Sequence, residues 1–209
     1  MTDDKFFIIA LREAFCFVAS KRDELCKLDT GIGDGDHGIT VERGFGAAAI
    51  LCERFNGEMS ALFEAIGEEM VFTMGGAIGP VYGAFWSGIA EVCQDKSLIN
   101  GEILAEAFAR GCALVMALGK VSPGDKTVVD AMFACKEAML GEQQHDLGAA
   151  LNAGALAARS GAESTKDMVA KRGRARFSGD KSKGYVDPGA TSFAMFMEAL
   201  AAAFHRVKE

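Results

Sequence analysis

The stretch "KLDTGIGDGDHGIT", Lys27 to Thr40, has two readings that lead to different folds. Gly33, Gly35 and Gly38 spell G-x-G-x-x-G, the fingerprint of a dinucleotide-binding α/β fold. That motif requires a strand before the glycines. Here Phe7, Ile8, Leu11, Phe15 and Val18 recur at three- and four-residue spacing, which predicts a helix from about Lys5 to Lys27. The motif would also press Asp34 and Asp36 against a bare pyrophosphate, which is repulsive unless a metal intervenes. The stretch is therefore a loop between helices, and the α/β reading falls.

The same period runs outward from this loop. It predicts further helices at about Ile39 to Phe55, Met59 to Met74, Val81 to Cys93, Asn100 to Leu118, Gly124 to Leu140, Asp146 to Lys171 and Asp187 to Val207. Asn100 suits an N-cap, Gly119 a helix end, and Asp187 with Pro188 a cap followed by a first turn. No stretch alternates as a strand between hairpin turns. The expected fold class is all-α, an antiparallel assembly of eight helices joined by short loops. Residues Gly173 to Val186 form the one long loop, which at that length is expected to be functional or disordered.

At 209 residues, the chain fits a single domain spanning 1–209. Its net charge of −7 argues against nucleic acid or an anionic membrane as a partner. No apolar run reaches the roughly 18 residues of a membrane span. The start "MTDDK" is acidic where a secretory leader is basic, and no CxxC pair occurs among Cys16, Cys26, Cys52, Cys93, Cys112 and Cys135. Buried free thiols and a cytoplasmic location are expected.

Glycine gathers at the connections "GIGDGDHG", "MGGAIGPVYG", "LGKVSPGD" and "SGDKSKGYVDPG". If successive helices alternate in direction, these four loops follow odd-numbered helices and meet at one end. Each alone reads as an ordinary turn, helix start or solvated basic face. Together they suggest one site. Asp29, Asp34 and Asp36 offer hard oxygen ligands, which suit Mg²⁺ or Ca²⁺. An EF-hand fails, because counting from Asp34 puts Phe45 where a bidentate glutamate belongs. Mg²⁺ commonly completes its shell with phosphate oxygens, so the loop points to a phosphate-bearing ligand.

The remaining loops suit that ligand. "GGAIG" and Gly189 to Thr191 present backbone amides at helix starts. Lys166, Lys171, Arg172, Arg174, Arg176, Lys181 and Lys183 face only Asp167 and Asp180 in the same segment, and Arg174 is the candidate for bidentate phosphate contact. His37 is expected to touch ligand, His145 and His205 to lie on the surface, and Phe193, Met195, Phe196 and Met197 to be core. "GDKT" reads as a helix start.

In this order, "LDTGIGDGDHG", "GGAIGPVYG", "PGDKTVVDAM" and "GAESTKDMVAKRGRARFSGDKSKGYVDPGATS" resemble the loops of the nucleotide-binding L subunits of dihydroxyacetone kinases, over nearly the whole chain. The resemblance implies a closed antiparallel barrel of eight helices with nucleotide across one end. It implies that Asp29, Asp34 and Asp36 hold two Mg²⁺ ions on the phosphates of ADP or ATP. It assigns nucleotide contacts to His37, Gly38, Ile39, Thr40, Ala77, Ile78, Gly119, Val128, Arg174, Asp187, Pro188 and Gly189, with Arg174 also catalytic.

The expected partners are a K subunit that binds a small ketose and a phosphohistidine protein that rephosphorylates bound ADP. A homodimer is a further expectation. The alternatives are an ATP-dependent kinase for a related triose or tetrose, and a nucleotide-loaded module that signals to a transcriptional regulator. Two positions depart from the family: Ile78 stands where serine is usual, and Lys181 where arginine is usual.

Overall fold

The computed structural model describes residues 3–96, 98–142 and 146–209; the expectation for His145 lies outside them. Nine α-helices occur among the described residues. They are α1 (Asp3–Ala19), α2 (Arg22–Asp29), α3 (His37–Arg54), α4 (Met59–Thr73), α5 (Ile78–Cys93), α6 (Gly101–Gly119), α7 (Val128–Leu140), α8 (Leu147–Ser164) and α9 (Pro188–Lys208). Short 3₁₀ turns cover Thr165–Asp167 and Arg174–Ser182. The all-α expectation holds, with no strand among the described residues.

Local polar groups decide the boundaries. Asn100 caps α6 by accepting from Ile103 N at 2.9 Å, and Asp187 caps α9 by accepting from Ala190 N at 2.8 Å, with Pro188 in the first turn. The helix expected from Lys5 to Lys27 is instead two. The Ser20 hydroxyl donates to Phe17 O, and Lys21 N turns back to Val18 O, so the chain breaks and α2 sets off separately. The helix expected to reach Lys171 stops at Ser164, where the hydroxyls of Ser164 and Thr165 fold back onto Gly161 O and Ala162 O. Helix α7 starts at Val128 rather than Gly124, because Thr127 and Asp130 form a reciprocal capping box. The left-handed residue ending α6 is Lys120, with φ 47°, rather than Gly119.

Eight of the helices close into a ring. Taken in the order α1, α3, α4, α5, α6, α7, α8, α9, each packs on the next, and α9 closes onto α1. Ring contacts fix the direction of that seam: Phe7 meets Phe204 and Phe15 meets Phe196, so α1 and α9 run antiparallel. Short α2 sits apart from the ring, against α3. Where α5 crosses α6 the backbones touch, and a Cβ on Gly88 would lie 2.6 Å from Gly111 Cα.

The centre is aromatic. Phe15 stacks on Phe196 at 5.1 Å, Phe63 stacks on Trp86 at 5.7 Å, and Phe45 meets Phe15 edge-on at 5.5 Å. Phe193, Met195, Phe196 and Met197 are buried as expected. All six cysteines are free thiols. Cys52, Cys93, Cys112 and Cys135 are buried, whereas Cys16 is exposed and Cys26 half-buried, which corrects the expectation for those two. His205 is exposed and pairs with Asn152 at 2.8 Å. Among the described residues no helix is long and apolar enough to cross a membrane.

Candidate functional site

Asp29 is the last residue of α2 and its carboxylate is the post around which the glycine loop turns. Its Oδ2 accepts from Gly35 N at 2.9 Å and from His37 N at 3.3 Å, while its own carbonyl accepts from Gly33 N at 2.6 Å. Gly33 has to be glycine, since a Cβ there would stand 1.9 Å from Asp29 Oδ1. The wrapped loop brings Asp34 and Asp36 back over Asp29. One ligand oxygen from each of the three lies within 4.8 Å of the others. Asp29 is buried and the other two are exposed, so the cluster opens outward. Three carboxylate donors without histidine or thiolate match a hard cation such as Mg²⁺, and the residues present fit it.

The long segment supplies the opposing charge. Arg174 Nη1 reaches Asp36 Oδ1 at 3.1 Å and also pairs with Asp34. All three side chains are about half exposed. Such pairs are worth only about 0–1 kcal/mol, so the arginine is readily exchanged for another cation. The segment is seated by other means: Ile32 of the aspartate loop packs with Ala170 and Ala175, and the Tyr185 ring lies against Gly31. Lys171 Nζ donates to Gly124 O at 3.0 Å and pairs with Asp125 at 3.3 Å, while Arg172 donates to Lys120 O at 3.1 Å. Gly76 lies beside the same guanidinium as the aspartates, the position of an added Cβ being 3.8 Å from Arg174 Nη2. All four glycine loops thus meet at one rim.

His37 opens α3 beneath that rim. His37 Nε2 lies 3.0 Å from the Ser192 hydroxyl, which in turn lies 3.0 Å from Gly189 O, and the Pro188 carbonyl also bonds the ring. Burial pushes the imidazole down to about 4, against the pull of Asp29, and the ring is neutral at neutral pH. Burial pushes the Asp187 carboxyl up to about 7; repulsion from Asp130 and Asp29 adds to the rise, while its bond from Ala190 N and the charge of Lys126 oppose it.

Apart from Gly119 and Arg174, the expected nucleotide contacts fall on the first turns of four helices and their entries. His37, Gly38, Ile39 and Thr40 open α3, with Gly38 and Thr40 buried. Ala77 precedes α5 and Ile78 begins it, the Ile78 side chain packing toward the core. Gly119 ends α6, Val128 begins α7, and Gly189 lies against Val128, 3.5 Å from its Cβ to the position of an added Cβ. Sequence reasoning missed Ser192, Tyr185 and, above all, Lys126. "GDKT" was visible, but nothing local signals that its lysine is 1% exposed.

The structure is thus a closed helical barrel with three carboxylates, an arginine and four helix starts gathered at one rim. The chain belongs to the DAK2 domain family, whose domain matches residues 31–202. The L-erythrulose 1-kinase of Mycolicibacterium smegmatis is 36% identical over 92% of this chain, which spans 34% of that protein. The ADP-binding subunit DhaL of the PEP-dependent dihydroxyacetone kinase of Escherichia coli K12 is 34% identical, over 88% of this chain and 90% of that one. The Citrobacter freundii dihydroxyacetone kinase crystal structure in complex with AMP-PNP and Mg²⁺ superposes with a TM-score of 0.73 and 27% identity, over 93% of this chain and 33% of that one. The chain therefore corresponds to about a third of the longer relatives and to most of the short one.

Proposed function

We propose that this chain is the nucleotide-carrying subunit of a dihydroxyacetone-type kinase, working as a single cytoplasmic domain. Asp29, Asp34 and Asp36 hold two Mg²⁺ ions. His37, Gly38, Ile39, Thr40, Ala77, Ile78, Gly119, Val128, Asp187, Pro188 and Gly189 line the nucleotide. The observation that carries the reading is the convergence of three carboxylates and Arg174 at one rim. Bound magnesium would neutralise the carboxylates and the ligand phosphates together.

Phosphoryl transfer depends chiefly on positioning and charge stabilisation. Asp29 sets the loop geometry through its amide bonds, and Ser192 fixes the ring of His37. With cations on Asp34 and Asp36, Arg174 would be free of its two exposed pairs and could offer its guanidinium to phosphate oxygens. Ile78 offers a backbone amide and no hydroxyl. The phosphoryl group passes to a small ketose held by a separate K subunit, and a phosphohistidine protein restores ATP from bound ADP. The near full-length match to the Escherichia coli ADP-binding subunit supports this arrangement. The erythrulose kinase similarity supports a second reading, with a tetrose as acceptor and free ATP as donor.

Two measurements test this. Mass spectrometry of the extract from purified protein is expected to find ADP. A coupled assay with a K subunit is expected to phosphorylate dihydroxyacetone or erythrulose. Bound nucleotide without transfer to either sugar would leave only a module that reports its phosphorylation state to a regulator.

A further inference from the structure

Lys126 is an unfavourable residue choice on two counts. It is 1% exposed, and its backbone sits at φ 60°, a left-handed conformation that is unfavourable for a residue carrying a side chain. Burying an ammonium costs more again unless donors and charge are met. Glycine or asparagine would satisfy this backbone without the charge. What the lysine adds is therefore to be sought at its ammonium.

The ammonium donates to two backbone carbonyls, Thr165 O and Tyr185 O, each at 2.5 Å. These carbonyls lie at the two feet of the long segment, one at the end of α8 and the other just before α9. Two further bonds cross the same neck: Asp187 N to Thr165 Oγ1 and Gly184 N to Lys166 O, both 2.8 Å. Asp187, Asp130 and Asp167 provide the surrounding negative charge. The far side of the segment delivers Arg174 to Asp34 and Asp36 through exposed pairs too weak to set its position. The neck, by contrast, is buried and multiply bonded.

We propose that Lys126 is a positioning residue: its buried ammonium clamps the neck of the long segment and so sets Arg174 over the aspartate loop. The clamp itself depends only on this chain's own atoms. Its effect on ligand rests on the nucleotide reading above.

The experiment is a double-mutant cycle on the full chain with Lys126→Met and Arg174→Met, titrating Mg-ADP by calorimetry. Trypsin cleavage of the metal- and nucleotide-free protein is followed in parallel. Lys126→Met is expected to keep a cooperative thermal transition and to open the 171–183 segment to cleavage about tenfold faster. It is expected to weaken Mg-ADP about tenfold, yet to change affinity less than about twofold in the Arg174→Met background, because residues acting through one another are non-additive. The same loss in both backgrounds would reduce Lys126 to a structural residue, and an unchanged cleavage rate would remove the clamp. If wild type binds no Mg-ADP, the nucleotide reading fails while the cleavage result still decides the clamp. Should Lys126→Met not fold, Lys126→Gln, with a neutral amide donor, takes its place in the cycle, and equal losses or unchanged cleavage would overturn the clamp in the same way.

Discussion

The interior of the barrel and its rim are held by different forces. Inside, Phe15, Phe45, Phe63, Trp86 and Phe196 touch ring to ring, and their stability comes from apolar area removed from water. At the rim, backbone amides wrap around Asp29, a lysine binds carbonyls, and charges stand half in solvent. The interior decides whether the chain folds, while the rim decides what the folded chain can hold. Substitutions in the two places are expected to affect different measurements.

The largest effect belongs to the interior. Phe196→Ala leaves a hole among four aromatic rings and is expected to lower unfolding free energy by about 3–5 kcal/mol in urea titration. Ligand affinity of the molecules that remain folded should be unchanged, and a parallel loss of affinity would erase the distinction between the two regions. Asp34→Asn tests the opposite corner. Affinity for Mg-ADP should fall on the order of 100-fold, about 2.7 kcal/mol, with little change in thermal midpoint because Asp34 is exposed. Unaltered affinity would remove Asp34 from the metal ligands.

Asp187 sharpens the comparison, being a rim residue that does affect stability. Its folded carboxyl titrates near 7, above the value of about 4 for an unfolded aspartate, so the native state binds the extra proton. The stabilising effect is complete below pH 4 and is lost as pH rises through 7. Asp187→Asn keeps a capping oxygen and drops the titration. Measured in EDTA, wild type should lose on the order of 2 kcal/mol relative to this variant between pH 5 and pH 8. Parallel pH profiles would contradict that. The smallest effect is expected at Leu156, which is 74% exposed on the outer wall: Leu156→Ser should move stability by less than about 0.5 kcal/mol and affinity not at all.

Much of the fold was legible because helix period and caps are local signals. Asn100, Asp187 and Pro188 announce their helix starts, and with alternating directions assumed, counting helices put the four loops at one end. The extra break at Ser20 did not change that count, since α2 stays outside the ring. The breaks themselves were hidden, because serine and threonine hydroxyls folding back on a carbonyl leave no glycine or proline to mark them. At the site, Asp29, Asp34 and Asp36 stood out by their spacing, and the structure draws their carboxylates together. Lys126 did not, since its partners Thr165 and Tyr185 lie far along the chain and its burial arises only when the neck closes. Ser192 was masked between the helix start read at Gly189 to Thr191 and the core residues read from Phe193 onward.

The antiparallel seam between α1 and α9 has a consequence for how such a barrel can be tethered. Phe7 beside Phe204 places the start of the first helix and the finish of the last at the same foot, and the bond from Ile99 N to Asp4 Oδ1 ties that foot to the entry of α6. A tether spliced to either end would leave from the base, opposite the charged mouth. The mouth would then stay clear of any such tether.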